Sequence, residues 1–195
     1  MISVDKYFKL FIENDINFFT GVPDSYLKNF IFYVSDNLYK NQHIISANEG
    51  LSISLATGYH LATNKIPVVY MQNSGLGNAI NPLLSLVDED VYKIPMLLLI
   101  GWRGEPEIKD EPQHIKQGKI TTDLLECMNI PYEIIDCDEG DARTKTLKII
   151  ERINNTGQVH AILARKNIFS PYNLNKRKNN EFRMSREEAM KIVLE

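Results

Sequence analysis

Glu49 is the side chain with the clearest chemical possibilities. It stands in Ala47-Asn48-Glu49-Gly50, after an apolar stretch and ahead of the small and apolar residues Ser52, Ile53, Ser54, Leu55, Ala56 and Gly58. A glutamate in these surroundings is poorly solvated: burial disfavours its charge, the N-terminus of a following helix favours it, and a proton-sharing partner would settle the balance. A glutamate that serves only the helix dipole would have the same local sequence. A second group lies in Gly101-Trp102-Arg103-Gly104 and Lys109-Asp110-Glu111-Pro112-Gln113-His114, which place two cations, a histidine and the sole tryptophan in one segment. Arg and Lys within reach of each other suit a dianionic head group, whereas Glu105, Glu107, Asp110 and Glu111 could equally neutralise them locally. Gly75-Leu76-Gly77 begins like a dinucleotide fingerprint, but Ile80 stands at the third glycine position, so a tight strand-to-helix turn explains it for any ligand. His43, His60 and His160 have no evident partners and read as structural or exposed.

These residues must be positioned by the elements around them. Short β-branched runs alternate with segments of helical period, which implies an α/β fold, a doubly wound parallel sheet of about six strands with helices on both faces. Strands are expected near 17–20, 43–46, 68–71, 95–100, 132–135 and 160–164, and helices over 4–14, 25–36, 50–63, 76–86, 116–128 and 139–154. Met96 to Ile100 is apolar at every position, as in a central strand buried on both faces. Ligands of such sheets sit beyond the carboxyl ends of the strands, and there this sequence places 21–25, 47–50, 72–78 and a long connection over 101–117. After Ala164 the composition turns to Asn and Lys, reading as a linker over 165–180. Ser185 and Glu188 then form a capping-box signal for a helix over 186–195, which stops without a terminating Gly or Asn, like a helix that has been cut. The expected division is a domain over 1–168 and, over 169–195, a linker and the start of a helix leading elsewhere.

Composition narrows the function classes. With 22 Lys and Arg against 25 Asp and Glu, the net charge is -3, and no basic field exists to hold a nucleic-acid backbone. No apolar run approaches membrane-span length and the first residues lack a signal-peptide core, so a cytoplasmic protein is expected. Cys127 and Cys137 have neither the spacing nor the histidine neighbours of a zinc site, and no metal ligand set is expected in this chain. The phosphate loop, HExxH and GxSxG signatures are absent.

Taken in order, Gly21-Val22-Pro23-Asp24-Ser25, Ala47-Asn48-Glu49-Gly50, Asn73-Ser74-Gly75-Leu76-Gly77-Asn78 and the segment from Trp102 to His114 resemble the pyrimidine-binding half of thiamine-diphosphate-dependent 2-oxoacid decarboxylases. The likeness is greatest to the branch acting on phosphonopyruvate, with the sulfopyruvate branch, and its alpha subunit, next. The resemblance implies thiamine diphosphate as cofactor, with Glu49 hydrogen-bonding the pyrimidine N1′ so that the cofactor's own amino group becomes the base. It further implies that Val22 and Pro23 shape the substrate-side wall, and that Asp24 and Ser25 approach the reacting carbon. Asn73, Ser74 and Gly75 would line the pyrimidine, Asn78 would open the following helix, and His114 would face the substrate. Arg103, Lys109 and Gln117 are candidates for the phosphonate on grounds of charge and polarity. The reaction so implied turns 3-phosphonopyruvate into phosphonoacetaldehyde and CO2, as in phosphonate biosynthesis.

The family binds the diphosphate and Mg²⁺ on a second domain, through a GDG followed later by an Asn pair, and this sequence contains no GDG. Asn154-Asn155 and Asn179-Asn180 are no substitute, because no acidic turn precedes them to supply the first oxygen ligand. The expectation is half a site, completed by a separate diphosphate-binding subunit or by a later domain of a longer polypeptide, in a homo-oligomer. A non-catalytic assembly module of the same fold is the alternative from another class, and Glu49 speaks against it.

Overall fold

The computed structural model describes residues 1–175 and 184–195. Six parallel strands form one sheet in the order β2-β1-β3-β4-β6-β5, where β1 is Phe19–Gly21, β2 His43–Ile45, β3 Val68–Gln72, β4 Met96–Gly101, β5 Tyr132–Ile135 and β6 Val159–Ala164. Six helices alternate with them: α1 Val4–Glu13, α2 Lys28–Asn37, α3 Glu49–Thr63, α4 Leu76–Ser85, α5 Pro112–Cys127 and α6 Glu139–Thr156, while α7 covers Arg186–Leu194. Every strand was legible as a β-branched or apolar run, and the doubly wound parallel architecture is the one expected.

The alternation of side chains along β4 explains why the sheet needs two layers of helices. Leu97 and Leu99 join Val68, Tyr70, Ile162 and the apolar faces of α1, α2 and α6 in one core. Met96, Leu98 and Ile100 join Val69, Met71, Leu163 and the faces of α3, α4 and α5 in the other. All six residues of β4 are buried, which fits its interior place between β3 and β6. No described helix is long and apolar enough to cross a membrane.

Three differences from expectation go beyond a residue or two, each for a local reason. Helix α5 starts at Pro112 rather than 116, because proline is favoured at a first helical position where its missing N–H is no loss. His114 and Gln117 therefore lie on the first turns of a helix, and the connection is 102–111. Helix α2 starts at Lys28 rather than 25, since the Asp24 carboxylate accepts the Tyr26 N–H (2.8 Å) and holds the preceding residues in a turn. In the segment read as linker, Ile168 and Phe169 are buried: Ile168 accepts the Ile2 N–H (2.8 Å), and the Phe169 ring stacks on Phe30 at 5.4 Å. An apolar pair inside a polar run thus extends the packed body past β6. The later part of that linker, with Asn179-Asn180, lies outside the described residues. The Ser185 and Glu188 capping box is formed as expected.

Candidate functional site

The strand order reverses direction between β1 and β3: the chain leaves β1 for β2 on one side and returns to β3 on the other. Such a switch point opens a crevice beyond the carboxyl ends of the strands, where ligands of doubly wound sheets bind. Gly21 closes β1 there. A side chain at Gly21 would overlap the carbonyl and ring of Tyr70, so the close approach of β1 and β3 requires glycine. The Tyr70 carbonyl accepts the Val22 N–H (3.2 Å), Gly21 accepts that of Ser46 (3.0 Å), and below them His43 links the Tyr70 hydroxyl (2.8 Å) to Ser35 (3.1 Å). This polar chain gives His43 a structural place.

Glu49 is the first residue of α3, and the Asn48 side chain caps the helix by accepting the Leu51 N–H (2.8 Å). The carboxyl group is buried, at 9% exposure, and its Oε2 accepts a hydrogen bond from Asn78 Nδ2 (2.7 Å). Asn78 stands on α4, so the two helices whose N-termini flank the crevice share one hydrogen bond. Gly75 makes room for the carboxylate: a Cβ there would lie 2.5 Å from both Cγ and Oε1 of Glu49. Gly50 allows the approach of the Asn78 carbonyl, which would be 2.8 Å from an added Cβ. Oε1 has no hydrogen-bond partner among the described residues and remains available to a ligand donor.

A second cluster sits over the end of β4. Asp24 reaches from the β1–α2 turn onto Gly101, where any side chain would overlap its carboxylate. It is 5% exposed, its Oδ2 accepts the Tyr26 N–H, and its Oδ1 is buried without a hydrogen-bond partner among the described residues. Burial raises its proton affinity above the ordinary carboxylate range, opposed by the Tyr26 N–H and by the Arg103 charge. Arg103 donates from Nη1 to Ser25 Oγ (2.9 Å), and from Nε (2.8 Å) and Nη2 (2.5 Å) to the carboxylate of Asp110. That pair drives Asp110 far below the usual carboxylate range and raises Arg103 further, so the cation is neutralised within the segment that carries it.

Asn73 joins the clusters. Its amide donates to the Arg103 carbonyl (2.8 Å) and to Thr121 Oγ1 (2.9 Å), and its carbonyl oxygen accepts the Arg103 N–H (3.1 Å). What Asn73 can offer a ligand is therefore backbone. Ser74 is half-buried and bonded to Gln72 (2.6 Å), while Val22 and Pro23 form the rim, the latter exposed. The structure thus gathers Glu49, Gly75 and Asn78, gathers Asp24, Ser25 and Arg103, and ties the groups through Asn73. It does not bring in Lys109, which is exposed and whose carbonyl accepts from Lys166 (3.2 Å), and it gives the side chains of His114 and Gln117 no hydrogen bond to either cluster. Tyr26 and Thr121 escaped the sequence reading. Asp110 entered it only as one of four acids that could neutralise a cation.

Among the described residues, no group of three or more His, Cys, Asp or Glu is placed to hold a metal ion. The carboxylate at the switch point, with one oxygen engaged and Gly75 against the other, fits the amino-pyrimidine ring of thiamine diphosphate, a flat group that presents nitrogen to a carboxyl.

Comparisons with known proteins bear on the family and the fold. Residues 4–125 match the family described as thiamine pyrophosphate enzyme, N-terminal TPP binding domain. The chain is 39% identical over 132 residues to sulfopyruvate decarboxylase subunit alpha of Methanococcus maripaludis, covering 68% of this chain and 76% of that one. It is 38% identical over 115 residues to phosphonopyruvate decarboxylase of Streptomyces viridochromogenes, covering 59% of this chain and 28% of that one. Among solved structures, benzoylformate decarboxylase from Polynucleobacter necessarius superposes with a TM-score of 0.61 at 15% identity, over 92% of this chain and 33% of that chain. The 2-oxoglutarate:ferredoxin oxidoreductase from Magnetococcus marinus gives 0.63 at 17% identity, over 92% and 33%. At such identities these two bear on the fold, and the chain spans about a third of their length. The chain belongs to the family of thiamine pyrophosphate enzyme N-terminal TPP binding domains.

Proposed function

We infer that this chain supplies the pyrimidine-binding half of a decarboxylase acting on a 2-oxoacid with an anionic group at its third carbon, 3-phosphonopyruvate in the first reading. The observation carrying it is Glu49: a buried carboxylate at the switch point, with Asn78 on one oxygen and Gly75 leaving the other open. When bound, thiamine diphosphate supplies the electron sink that makes loss of CO2 feasible. Glu49 Oε1 would share a proton with the pyrimidine ring nitrogen, Asn78 would fix the carboxyl plane, and Asp24 would exchange a proton near the substrate carbons. Ser25 and the outward edge of Arg103 orient the anionic group. Mg²⁺ and the diphosphate are assigned to a partner domain or subunit.

Sulfopyruvate is the second reading, and the Arg103–Asp110 pair favours it. A guanidinium already neutralised by a carboxylate attracts a monoanionic sulfonate nearly as well as a dianionic phosphonate, which weakens the charge argument for the latter. The test is CO2 release by the chain assembled with a diphosphate-binding partner, Mg²⁺ and thiamine diphosphate, offered phosphonopyruvate, sulfopyruvate and pyruvate. Preference for phosphonopyruvate is expected; preference for sulfopyruvate selects the second reading. Equal use of pyruvate would remove the anionic-substrate assignment, and no turnover of any 2-oxoacid would remove the decarboxylase.

A further inference from the structure

One carboxylate oxygen in the site is fully buried with no hydrogen-bond partner among the described residues, and a cation stands close by without reaching it. That oxygen is Asp24 Oδ1. Arg103 bonds the very next residue, Ser25, through Nη1 at 2.9 Å, yet among the described residues no ion pair joins it to Asp24. A buried carboxylate and a guanidinium in this proximity would ordinarily pair. What prevents it is visible on the other side of the guanidinium.

Asp110 has a side chain only 3% exposed and takes hydrogen bonds from five donors. These are Nε and Nη2 of Arg103 (2.8 and 2.5 Å), the Tyr26 hydroxyl (2.9 Å), and the backbone N–H groups of Gly104 (2.9 Å) and Glu111 (2.8 Å). The Tyr26 ring lies under the guanidinium, 4.7 Å from its carbon to the ring centre. Side-on, bidentate and stacked, Arg103 has one orientation, and its charge is cancelled at close range.

We propose that Asp110 is a positioning residue that holds Arg103 off the free oxygen of Asp24, so that Asp24 remains an unpaired carboxyl able to take up and return a proton. A direct pair with Arg103 would fix Asp24 as a carboxylate and make it a poor proton carrier. The groups facing Asp24 are few. Its own turn presents the Tyr26 N–H at 2.8 Å and the backbone N–H groups of Ser25 and Leu27, β4 presents uncharged Gly101, and the β4–α5 connection presents Arg103 with Asp110 behind it. The Tyr26 phenol is pushed up to about 12 by burial and by Asp110, and stays neutral where a carboxyl titrates. The inference deepens the functional reading, since it rests on Asp24 facing the reaction, but its test needs no turnover.

The experiment is carboxyl-carbon NMR on the full chain labelled in aspartate, with the Asp24 signal assigned by its loss in Asp24→Asn. The wild-type signal should titrate above the ordinary carboxylate range. In Asp110→Asn, the unneutralised Arg103 should lower the proton affinity of Asp24 by about 10-fold to 1000-fold, the range an adjacent cation produces. In Arg103→Gln/Asp110→Asn, where the charge pair is removed together, it should return to the wild-type value or above. That return separates an electrostatic role from general loosening of the loop. An unchanged Asp24 titration in folded Asp110→Asn, or a fall in the double variant equal to that in the single, would overturn the proposal. Should Asp110→Asn not fold, Tyr26→Phe removes one donor to Asp110, keeps the ring under Arg103, and should shift Asp24 in the same direction by a smaller amount; no shift there overturns it as well. Asp24 titrating as expected in an assembled enzyme that decarboxylates nothing would remove the functional reading and leave this one standing.

Discussion

At the scale of single residues, the site sets two carboxyl groups to different work by different surroundings. Glu49 has a donor on one oxygen and a glycine under the other, so Glu49→Gln in the assembled enzyme keeps the size and the Asn78 contact while losing the capacity to share a proton. Exchange of the cofactor's C2 proton, followed by NMR, should slow by about 10² to 10⁴, with little change in melting temperature. Gly75→Ala should slow exchange in the same direction, because its methyl group displaces the Glu49 side chain rather than backbone. Asp24 is a matter of pH. Burial raises its folded-state pKa above the ordinary carboxylate value, so the stability it contributes is fully present below that ordinary value and is lost as pH rises through the folded value. Asp24→Asn removes the loss, and urea midpoints should show the variant gaining on the wild type between pH 4 and pH 8; a constant difference across that interval would contradict it. Glu49 could be singled out in the sequence, because a charge set among small and apolar residues at a strand end stands out against its neighbours, whereas Asp24 came only with the family resemblance. Asp110 could not be separated from Glu105, Glu107 and Glu111, since which acid meets Arg103 depends on the path of the loop. In the fold, Glu105 goes instead to Arg165 at 2.8 Å.

At the scale of elements, the loop that carries Arg103 is held down by helix α5. Gly118 lies inside that helix, where a Cβ would overlap the Gly104 carbonyl, and the Gly118 carbonyl accepts the Trp102 indole N–H at 2.9 Å. Gly104 takes a positive φ of 68° and passes equally close to the His114 carbonyl. The strand end and the helix therefore touch backbone to backbone, at a place where neither can yield. Gly118→Ala should cost about 3 kcal/mol or more by urea unfolding, in the overpacking range, although alanine is the better helix former. A gain in stability would show the contact to be looser than described. The helical period of α5 was legible, whereas its first turn was not: 112–115 carries proline, glutamine, histidine and isoleucine, which read as loop until Pro112 is recognised as a first helical residue. Long-range packing explains the other missed feature, the burial of Phe169 against Phe30, which no pattern within 165–180 announces.

At the scale of the whole molecule, the face made by α3 and α4 carries the question of assembly. Leu51, Ser54, Gly58 and Leu61 follow one another at helical spacing along α3 and are exposed, and Gly77, Asn81 and Leu84 do the same along α4. Leu61 is 68% exposed, Leu51 44% and Leu84 43%, an apolar surface along the two helices that carry Glu49 and Asn78. Side chains added at Gly58 or Gly77 would meet nothing within 4 Å, so the fold of the single chain has no use for glycine at either position. In an exposed helix interior glycine costs about 0.5–1 kcal/mol relative to alanine, and a close backbone approach from another body is a physical reason to keep it. Light scattering is expected to show the chain at least dimeric, with Leu61→Glu shifting it toward monomer; a clean monomer across a wide concentration range would contradict this. Gly58→Ala separates intrinsic stability from association. If the face packs against a second body, the alanine should raise the unfolding free energy of the dissociated chain by about 0.5–1 kcal/mol while weakening assembly. A variant that is more stable and associates as well as the wild type would mean that the glycine answers to neither, and the face would have to be released from the interface.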